Sequence, residues 1–481
     1  MKRRWIIDGV LIAAALSLRI AAGQSASLSY VVLACFALLG RTQAIQALTL
    51  TWLFNMLSSG VAPVGGHDTL GRYLVLAAAA LSIELRGFLR MQGLSVTRPV
   101  MATFMLGLFF ALHSLLFSPL VGVSLLKALS WTVAMCTVLA GWGSLDCESR
   151  ERLVKWIFGL LSALLFVSLP LTVLPVGYLT NGTGFQGVLN QPQAYGTAVG
   201  LLGVWAASQM LALQRPPWKV VLLVLACLVT VALSGSRTGG FAMVLGFAAA
   251  VSTVSNLASR SMRTLLPGLY SRRVHLVLGL ALVGVVVALP LVSEQVAVFV
   301  AKGTNTDSLL QAYDTSRGGL IEAMWTNIKT HPLRGIGFGI ASHPSEMVIQ
   351  RDPILGLPIG ASIEKGVAPL AVLEETGLFG LCFVALWVWM LVRRAARHGV
   401  TALAVLMTIL FMNLGEYTLF SAGGMGLLQL VLVGWCVSDI RFRAELDEEP
   451  ERLALARHRQ PAHGAAGNRA DIAGEHSDLR G

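Results

Sequence analysis

Charge is scarce in this chain: only 13% of its 481 residues are Asp, Glu, Lys or Arg, while 55% are hydrophobic. One water-soluble core of ordinary proportions cannot bury that much apolar surface, which argues against a soluble enzyme or binding module. A lipid bilayer is the natural solvent for this composition. The formal net charge of +11 does not indicate nucleic-acid binding, because Lys and Arg fall mainly in short connections between apolar runs.

Cysteine and metal-binding patterns are also sparse. The six cysteines lie outside the long hydrophilic segment near 293–369, and no two of them form a CxxC pair. This excludes a disulfide framework and a zinc site of the usual spacing. The same segment contains no Asp-x-Asp pattern for a divalent cation. We therefore expect no metal and no cofactor.

Apolar runs approaching the roughly 20 residues of a membrane-spanning helix recur along the chain. They lie near 5–22, 28–40, 44–60, 70–85, 99–117, 122–143, 156–175, 194–213, 218–233, 237–255, 274–293, 369–392, 400–418 and 424–440. The pattern predicts an all-α, polytopic integral membrane protein with about 12–14 transmembrane helices. The first run follows a basic start and also fits a signal peptide, but keeping it as a span makes the charge alternation consistent.

The placement of the basic residues predicts the orientation of these helices. With a cytoplasmic N-terminus, every inner connection contains Lys or Arg, whereas short outer connections such as 60–69 and 181–193 contain neither. Arg237 is the exception. This asymmetry predicts a multi-pass protein of a bacterial inner membrane with both termini in the cytoplasm.

The same pattern predicts four regions. Transmembrane helices, including the outer turn at Arg237, occupy 1–293, and a periplasmic loop subdomain occupies 294–368. C-terminal transmembrane helices follow over 369–443. Residues 444–481 lack hydrophobic periodicity and are predicted to be a disordered cytoplasmic tail.

The long outer loop contains one predicted helix. Thr315 or Ser316 can cap its start, and His331-Pro332 ends it. Its apolar residues recur at helical spacing: Leu320, Ile321, Met324, Trp325 and Ile328. We expect this helix to lie against the membrane domain.

Arg317 falls in the middle of that apolar face and in the first helical turn, where the helix dipole disfavours a cation. An anionic ligand would resolve both conflicts. In the alternative interpretation, Arg317 reaches the lipid headgroups or pairs with Asp314 or Glu322. Lys127 and Arg19, which lie within apolar runs, are expected to extend to the headgroups.

Arg237 lies in a tight turn of Gly and small hydroxyl residues, 234–240, between two predicted spans. A guanidinium at membrane depth is usually functional, and its planar donors match phosphate oxygens. Alternatively, Arg237 ties helix ends together through carbonyl groups. Glu416 ends an apolar run near the same face and needs a partner. Pairing with Arg237 or Arg317 as a structural anchor explains it at least as well as catalysis does.

Several short motifs occur in a characteristic order. They are Gly184-Phe-Gln-Gly-Val-Leu-Asn-Gln-Pro192, Ser234-Gly-Ser-Arg-Thr-Gly239, Ser316-Arg317 leading to His331-Pro-Leu-Arg-Gly-Ile-Gly-Phe-Gly339, and Glu374-Glu-Thr-Gly-Leu-Phe-Gly380. Together they resemble the O-antigen ligase and polymerase family. The resemblance spans roughly residues 184–426.

The resemblance implies an all-helical membrane fold like the GT-C class of glycosyltransferases. It also implies a metal-independent, inverting enzyme that takes a glycan from undecaprenyl diphosphate at the periplasmic face and passes it to an acceptor hydroxyl. Arg237 and Arg317 match the two arginines that are thought to hold the diphosphate in this family. Arg334, within the third motif, is a further substrate-binding candidate, and Glu416 is another.

The chain departs from the family at one place. Many members carry a His-Asn pair about a dozen residues before the Glu-Thr-Gly stretch, where this chain has Ile363-Glu-Lys-Gly366. Glu364 is therefore a candidate general base, and Lys365 a candidate third cation for the leaving diphosphate.

The missing pair favours a polymerase of O-antigen, capsule or exopolysaccharide over a ligase that uses lipid A core as acceptor. A transporter or flippase of a lipid-linked anionic solute is the alternative from another class. It would distribute polar groups along a path through the bilayer, whereas here they collect in the outer loop and outer turns.

Overall fold

The computed structural model describes residues 2–63, 68–89, 97–179, 184–275, 279, 318–351, 358–361 and 365–438. This part of the protein is mostly helical. The first helices are α1 (Lys2–Ala21), α2 (Gly23–Leu38), α3 (Arg41–Met56), α4 (Asp68–Leu89), α5 (Arg98–Phe117), α6 (Val121–Gly143), α7 (Cys147–Ser168), α8 (Pro192–Ala212), α9 (Trp218–Ser234) and α10 (Arg237–Ala258). The later ones are α11 (Met262–Leu265), α12 (Gly319–Thr330), α13 (Ala368–His398), α14 (Val400–Met412) and α15 (Gly426–Val437).

Nearly all of the predicted apolar runs coincide with these helices; the run near 274–293 lies almost entirely outside the described residues. Two boundaries differ for local reasons. The helix α7 begins at Cys147 because Asp146 caps it, accepting a hydrogen bond from Ser149 N at 3.0 Å. The helix α14 stops at Met412, because Asn413 Oδ1 accepts from the backbone N–H groups of Thr418 and Leu419 and folds the chain into a turn.

Five described helical segments are long and apolar enough to cross a membrane: Arg98–Phe117, Val121–Gly143, Cys147–Val173, Arg237–Ala258 and Ala368–His398. Their outer faces carry large exposed apolar side chains, for example Leu116 at 74% and Leu386 at 66% exposure. A soluble protein rarely exposes such a surface, whereas lipid chains cover it without cost. The helices therefore fit a membrane location.

Small residues let three of the helices approach closely. Gly239 of α10 lies against Gly196 of α8. A Cβ added to Gly239 would stand 2.8 Å from the carbonyl carbon and oxygen of Gly196. Farther along α10, a Cβ on Gly246 would lie 2.5 Å from Thr408 Cα in α14. In lipid the hydrophobic effect does not drive helices together, and close packing of their backbones stabilises their association instead.

Hydrogen bonds join several helix termini at one end of the bundle. Asn190 N donates to Met56 O at 2.8 Å, which links the start of α8 to the end of α3. Phe185 N donates to Leu233 O in the last turn of α9 at 3.1 Å. Ala368 N donates to Asn413 O at 2.9 Å and joins the start of α13 to the end of α14.

The helix α13 is broken at Gly377, whose φ of 67° and ψ of −171° are not helical. The chain segment 332–339 lies alongside the break and supplies hydrogen bonds. Ile336 N and Gly337 N donate to the carbonyl oxygens of Glu374 and Glu375, each at 2.9 Å, and Leu378 N donates to Pro332 O at 2.9 Å. Backbone groups freed by the break are thus paired.

A short antiparallel sheet was not predicted. Strand β1 (Ile349–Arg351) pairs with β2 (Pro358–Ala361), with Ile349 opposite Ala361 and a register shift after Gln350. Strands this short carry almost no periodic signal in the sequence.

Candidate functional site

A fully buried group of charges lies beside the break in α13. Lys365 Nζ is 2.7 Å from Glu374 Oε2 and 3.0 Å from Glu375 Oε1, and all three side chains are 0% exposed. Both contacts are ion pairs between buried groups. Charges buried this deeply need mutual compensation, because desolvation costs several kcal/mol per ion. We call Lys365, Glu374 and Glu375 the ion cluster.

Neutral donors complete the coordination of the two carboxylates. Asn327 Nδ2, from α12, donates to Glu374 Oε1 at 2.7 Å. Gly339 N donates to Glu375 Oε2 at 2.8 Å, and Tyr417 Oη donates to the same oxygen at 3.0 Å. The ion cluster therefore fastens α12, the segment 332–339 and the turn after α14 to the first half of α13.

The glycine-rich run 335–339 has a structural role in this arrangement. A Cβ on Gly335 would lie 2.5 Å from the Glu375 carbonyl, and a Cβ on Gly339 would lie 2.4 Å from Lys127 Cδ. There is therefore no room for a side chain at Gly335 or Gly339, and Gly339 N donates to the carboxylate of Glu375. It is unlike a nucleotide-binding loop, which follows a strand and opens a helix.

Tyr417 is held in its protonated form. Part of its side chain is accessible, but burial of the hydroxyl raises the pKa of Tyr417 well above its ordinary value, and the negative charge of Glu375 raises that pKa further. A protonated phenol can donate to Glu375 as the structure shows. Because this folded-state pKa is raised, the associated stability is present below the unfolded pKa of about 10 and is lost as the pH rises toward the folded pKa.

We expect Tyr417→Phe to lower the stability of the protein in detergent by about 1–3 kcal/mol near pH 8, since it removes a hydrogen bond to a charged acceptor. The difference between wild type and variant should narrow above about pH 10, where only the wild type can lose that proton. Thermal unfolding from pH 8 to pH 11 measures both effects. Tyr270→Phe, at a residue that is 55% exposed, is the matched control. A gap that stays constant over this range would contradict the assignment.

The two basic residues of apolar runs, Arg19 and Lys127, differ in burial. Lys127 packs against Gly339 and interacts electrostatically with Glu375 and Lys365. Arg19 is 3% exposed and donates to Phe54 O from Nε at 3.2 Å and from Nη2 at 3.1 Å. The expectation of headgroup contact was therefore wrong for Arg19, whose guanidinium is satisfied by backbone carbonyl groups. For Lys127, which is half-buried, headgroup contact stays a prediction.

Arg237 and Glu416 lie in neighbouring turns. Arg237 is the first residue of α10, after Ser236, whose side chain accepts from Gly239 N at 3.3 Å. Glu416 follows Gly415, where a Cβ would stand 2.6 Å from Thr238 Oγ1. Both side chains are half-buried. The two turns are thus in contact, while a direct pairing of Glu416 with Arg237 or Arg317 stays a prediction.

The other predicted site residues divide into three groups. Lys365, predicted as a third cation for a diphosphate, lies 0% exposed between two buried carboxylates. Arg334 is exposed, with Nη2 3.3 Å from His331 Nδ1, and its carbonyl contacts the ring of His113. Arg317 and Glu364 lie outside the described residues.

Inspection of the sequence missed the ion cluster. The adjacent acids Glu374 and Glu375 were noticed only as part of a motif, although two carboxylates that open an apolar run are costly and require a cation. The need of these two carboxylates for a nearby cation could have indicated a buried ion pair. The contributions of Asn327 and Tyr417 had no signal in the sequence, since both types are common in loops and helix surfaces.

The helix that contains Asn327 follows its prediction in part. It ends at Thr330 with His331 as C-cap, as expected, and Met324 and Ile328 are buried. Trp325 was assigned to the same apolar face but is 47% exposed. It therefore lies at the edge of that face.

Searches with this chain found no matching family model and no matching curated protein.

Proposed function

We propose that this protein is a membrane glycosyltransferase that transfers or polymerises a glycan carried on undecaprenyl diphosphate, with a repeat-unit polymerase preferred over an O-antigen ligase. Its setting would be the periplasmic face of a bacterial inner membrane, in a polytopic fold of the GT-C kind. The acceptor is another lipid-linked glycan in the first case and lipid A core in the second.

The observation that supports this proposal is the meeting of the motifs at one end of the helices. Gly184 lies against the turn at Ser234, where a Cβ would stand 3.0 Å from the Ser234 carbonyl oxygen. The turn that contains Arg237 contacts the turn that contains Glu416 through Thr238 and Gly415. Polar groups gathered at one end of an apolar bundle suit a reaction at the membrane surface, and a path for transport would need them along its length.

In the proposed reaction, Arg237 and Arg317 hold the diphosphate through charge-assisted hydrogen bonds. An acceptor hydroxyl oxygen attacks the anomeric carbon, the bond from that carbon to the diphosphate oxygen breaks, and undecaprenyl diphosphate leaves with the electron pair. Glu364 takes the hydroxyl proton. A single displacement inverts the anomeric carbon. The arginines favour the transition state because negative charge grows on the leaving oxygen.

The ion cluster would contribute by positioning. Asn327 ties α12 to Glu374, and α12 begins at Gly319, two residues after Arg317. A helix fixed at this point limits where the preceding residues can lie. The cluster itself offers no charge to a substrate, since its three side chains are 0% exposed.

The test is a transfer assay with purified protein and a lipid-linked oligosaccharide, with and without lipid A core. A ladder of products without lipid A means polymerase, and product only with lipid A means ligase. We expect Arg237→Ala to reduce turnover by at least about a hundredfold, as for loss of one oxyanion-stabilising donor, and Arg237→Lys to restore only part of it.

The matched control is Arg152→Ala, at an exposed arginine of α7 that contacts Glu148 at 3.7 Å, and it should leave turnover unchanged. Turnover that is insensitive to both Arg237→Ala and Arg317→Ala would refute the diphosphate role. Movement of the donor between leaflets of a proteoliposome without any glycan product would support the transporter alternative.

A further inference from the structure

A cleft of about 510 Å³ lies at the end of the helices opposite the turn that contains Arg237. One wall is the connection from α8 to α9, which contributes Gln214 and Arg215, and the other is the segment 263–271, beyond the end of α10. Since α9 ends and α10 begins at the Arg237 turn, residues before α9 and after α10 lie at the far end. A helix of 17 residues, such as α9, is about 25 Å long. We call this space the basic cleft.

Close packing fixes the walls of the basic cleft. A Cβ added to Gly268 would stand 2.6 Å from Leu213 O, so the turn 267–270 lies directly against the end of α8. Arg273 Nη1 donates to Pro216 O at 3.1 Å and joins the residues after that turn to the start of α9. A ligand would therefore meet a preformed site, which lowers the entropic cost of binding.

Two arginines line the basic cleft without a compensating acid. Arg215 and Arg263 are exposed, and neither guanidinium has an ion pair or a hydrogen bond within the described part of the chain. The chain contains no Asp or Glu from residue 152 to residue 293, whereas Arg260 and Arg272 add positive charge at the same end. Uncompensated positive charge of this kind attracts an anionic ligand.

The donor groups of the basic cleft match phosphate oxygens. Arg263 Cζ lies 5.6 Å from the centre of the Tyr270 ring, a cation–π contact that supports the guanidinium. The N–H donors lie in the plane of the guanidinium, so contact with an aromatic ring does not use them. Gln214 and Ser271 add an amide and a hydroxyl group to the lining. A phosphate accepts several hydrogen bonds at once, and guanidinium groups bind it in a bidentate manner.

An exposed apolar stripe on α9 begins near the basic cleft. Four large exposed side chains recur there at helical spacing: Trp218, Leu222, Leu225 and Val229. Trp218 is the first residue of α9 and the third after Arg215. Tryptophan is enriched where lipid headgroups meet hydrocarbon, because its ring is apolar and its N–H is polar. A ligand with a phosphate group and hydrocarbon chains would therefore find complementary groups in the cleft and along α9.

We propose that the basic cleft binds the headgroup of an anionic phospholipid, for example phosphatidylglycerol, with its acyl chains on the apolar stripe of α9. Arg215 and Arg263 donate hydrogen bonds to the phosphodiester oxygens. Gln214 and Ser271 contact the hydroxyl groups of the headgroup. The bound lipid joins the connection before α9 to the segment after α10. This site is independent of the proposed glycan transfer, whose diphosphate would be held at the other end of the helices.

Native mass spectrometry of the full-length protein, released from a neutral detergent, measures the binding of added lipids. We expect phosphatidylglycerol to bind at least about tenfold more tightly than phosphatidylcholine with the same acyl chains, because the two arginines repel the choline cation. Arg215→Gln combined with Arg263→Gln should reduce this preference to about twofold or less. Soluble glycerophosphoglycerol, which lacks the acyl chains, should not displace the lipid at an equal concentration.

The matched control is Arg260→Gln combined with Arg272→Gln. Both arginines are exposed at the same end of the helices and neither lines the basic cleft, so this variant removes the same charge outside the site. It should keep most of the preference for phosphatidylglycerol.

Three results would overturn the proposal. In the first, phosphatidylglycerol binds no more tightly than phosphatidylcholine. In the second, the control variant loses the preference as fully as the cleft variant, which would mean that diffuse charge attracts the lipid. In the third, glycerophosphoglycerol displaces the lipid, which would identify a soluble phosphate compound as the ligand.

Discussion

Replacing Lys365 by methionine should destabilise the protein by about 3–5 kcal/mol, the usual cost of breaking a buried ion pair by removing one partner. Glu374 and Glu375 would then face each other at 0% exposure without the cation that lies within 3.0 Å of both. One of them would have to bind a proton or water would have to enter. Thermal unfolding in detergent, or a drop in the yield of folded protein, measures the effect.

Two further variants separate the charge effect from general damage. Lys155→Met removes an exposed lysine that forms an i,i+4 pair with Glu151, and it should change stability little. Adding Glu374→Gln and Glu375→Gln to Lys365→Met should recover much of the loss. Both amides retain the oxygen that accepts from Asn327, Gly339 or Tyr417 while the uncompensated charge is gone. A triple variant as unstable as the single one would contradict the ion-pair account.

Gly377→Ala is expected to have an effect of similar size. The φ of 67° and ψ of −171° at this position belong to a region that essentially only glycine occupies, which costs other residues about 1–3 kcal/mol. A Cβ there would also stand 2.0 Å from Leu333 O, so the segment 332–339 would have to move. Overpacking adds about 1–3 kcal/mol. Unfolding measurements and limited proteolysis near residue 334 report the change.

Gly424→Ala is the matched control, because Gly424 also has a positive φ, 53°, but no atom within 4 Å of an added Cβ. It should cost only about 1–2 kcal/mol. If the two variants were equally stable, close contact between the broken helix and the segment 332–339 would not contribute to stability.

Helix positions could be predicted well from this sequence because apolar runs and cap residues are local signals. The end of α12 before His331 follows from a His-Pro stop, while its predicted start at Thr315 or Ser316 lies outside the described residues. The placement of Arg237 and Glu416 at one face was predicted because each stands at an end of an apolar run, but which turns touch there was not. In an antiparallel bundle, the turns at one face join neighbouring helices and therefore lie close to one another.

The hydrogen-bond partners of the ion cluster could not be predicted because they come from distant parts of the chain. Asn327, Gly339 and Tyr417 meet the two carboxylates beside the break in α13, where the segment 332–339 also packs. A Gly in an apolar run is common in membrane helices, so Gly377 gave no specific warning. The sequence did not show that Lys365 lies within 3.0 Å of Glu374 and Glu375, so a diphosphate was predicted as its partner.

The break in α13 also bears on the order in which the chain assembles. Its first half, from Ala368 to Thr376, presents two carboxylates and carbonyl oxygens whose partners all come from other parts of the chain, among them Lys365 and the segment 332–339. Hydrocarbon supplies no such partners, so this half cannot settle in the bilayer ahead of the segment that pairs it. The second half, Leu378 to His398, is apolar and self-paired and can insert first. The first half of α13 therefore reaches its observed arrangement only together with Lys365 and the segment 332–339, later than the second half.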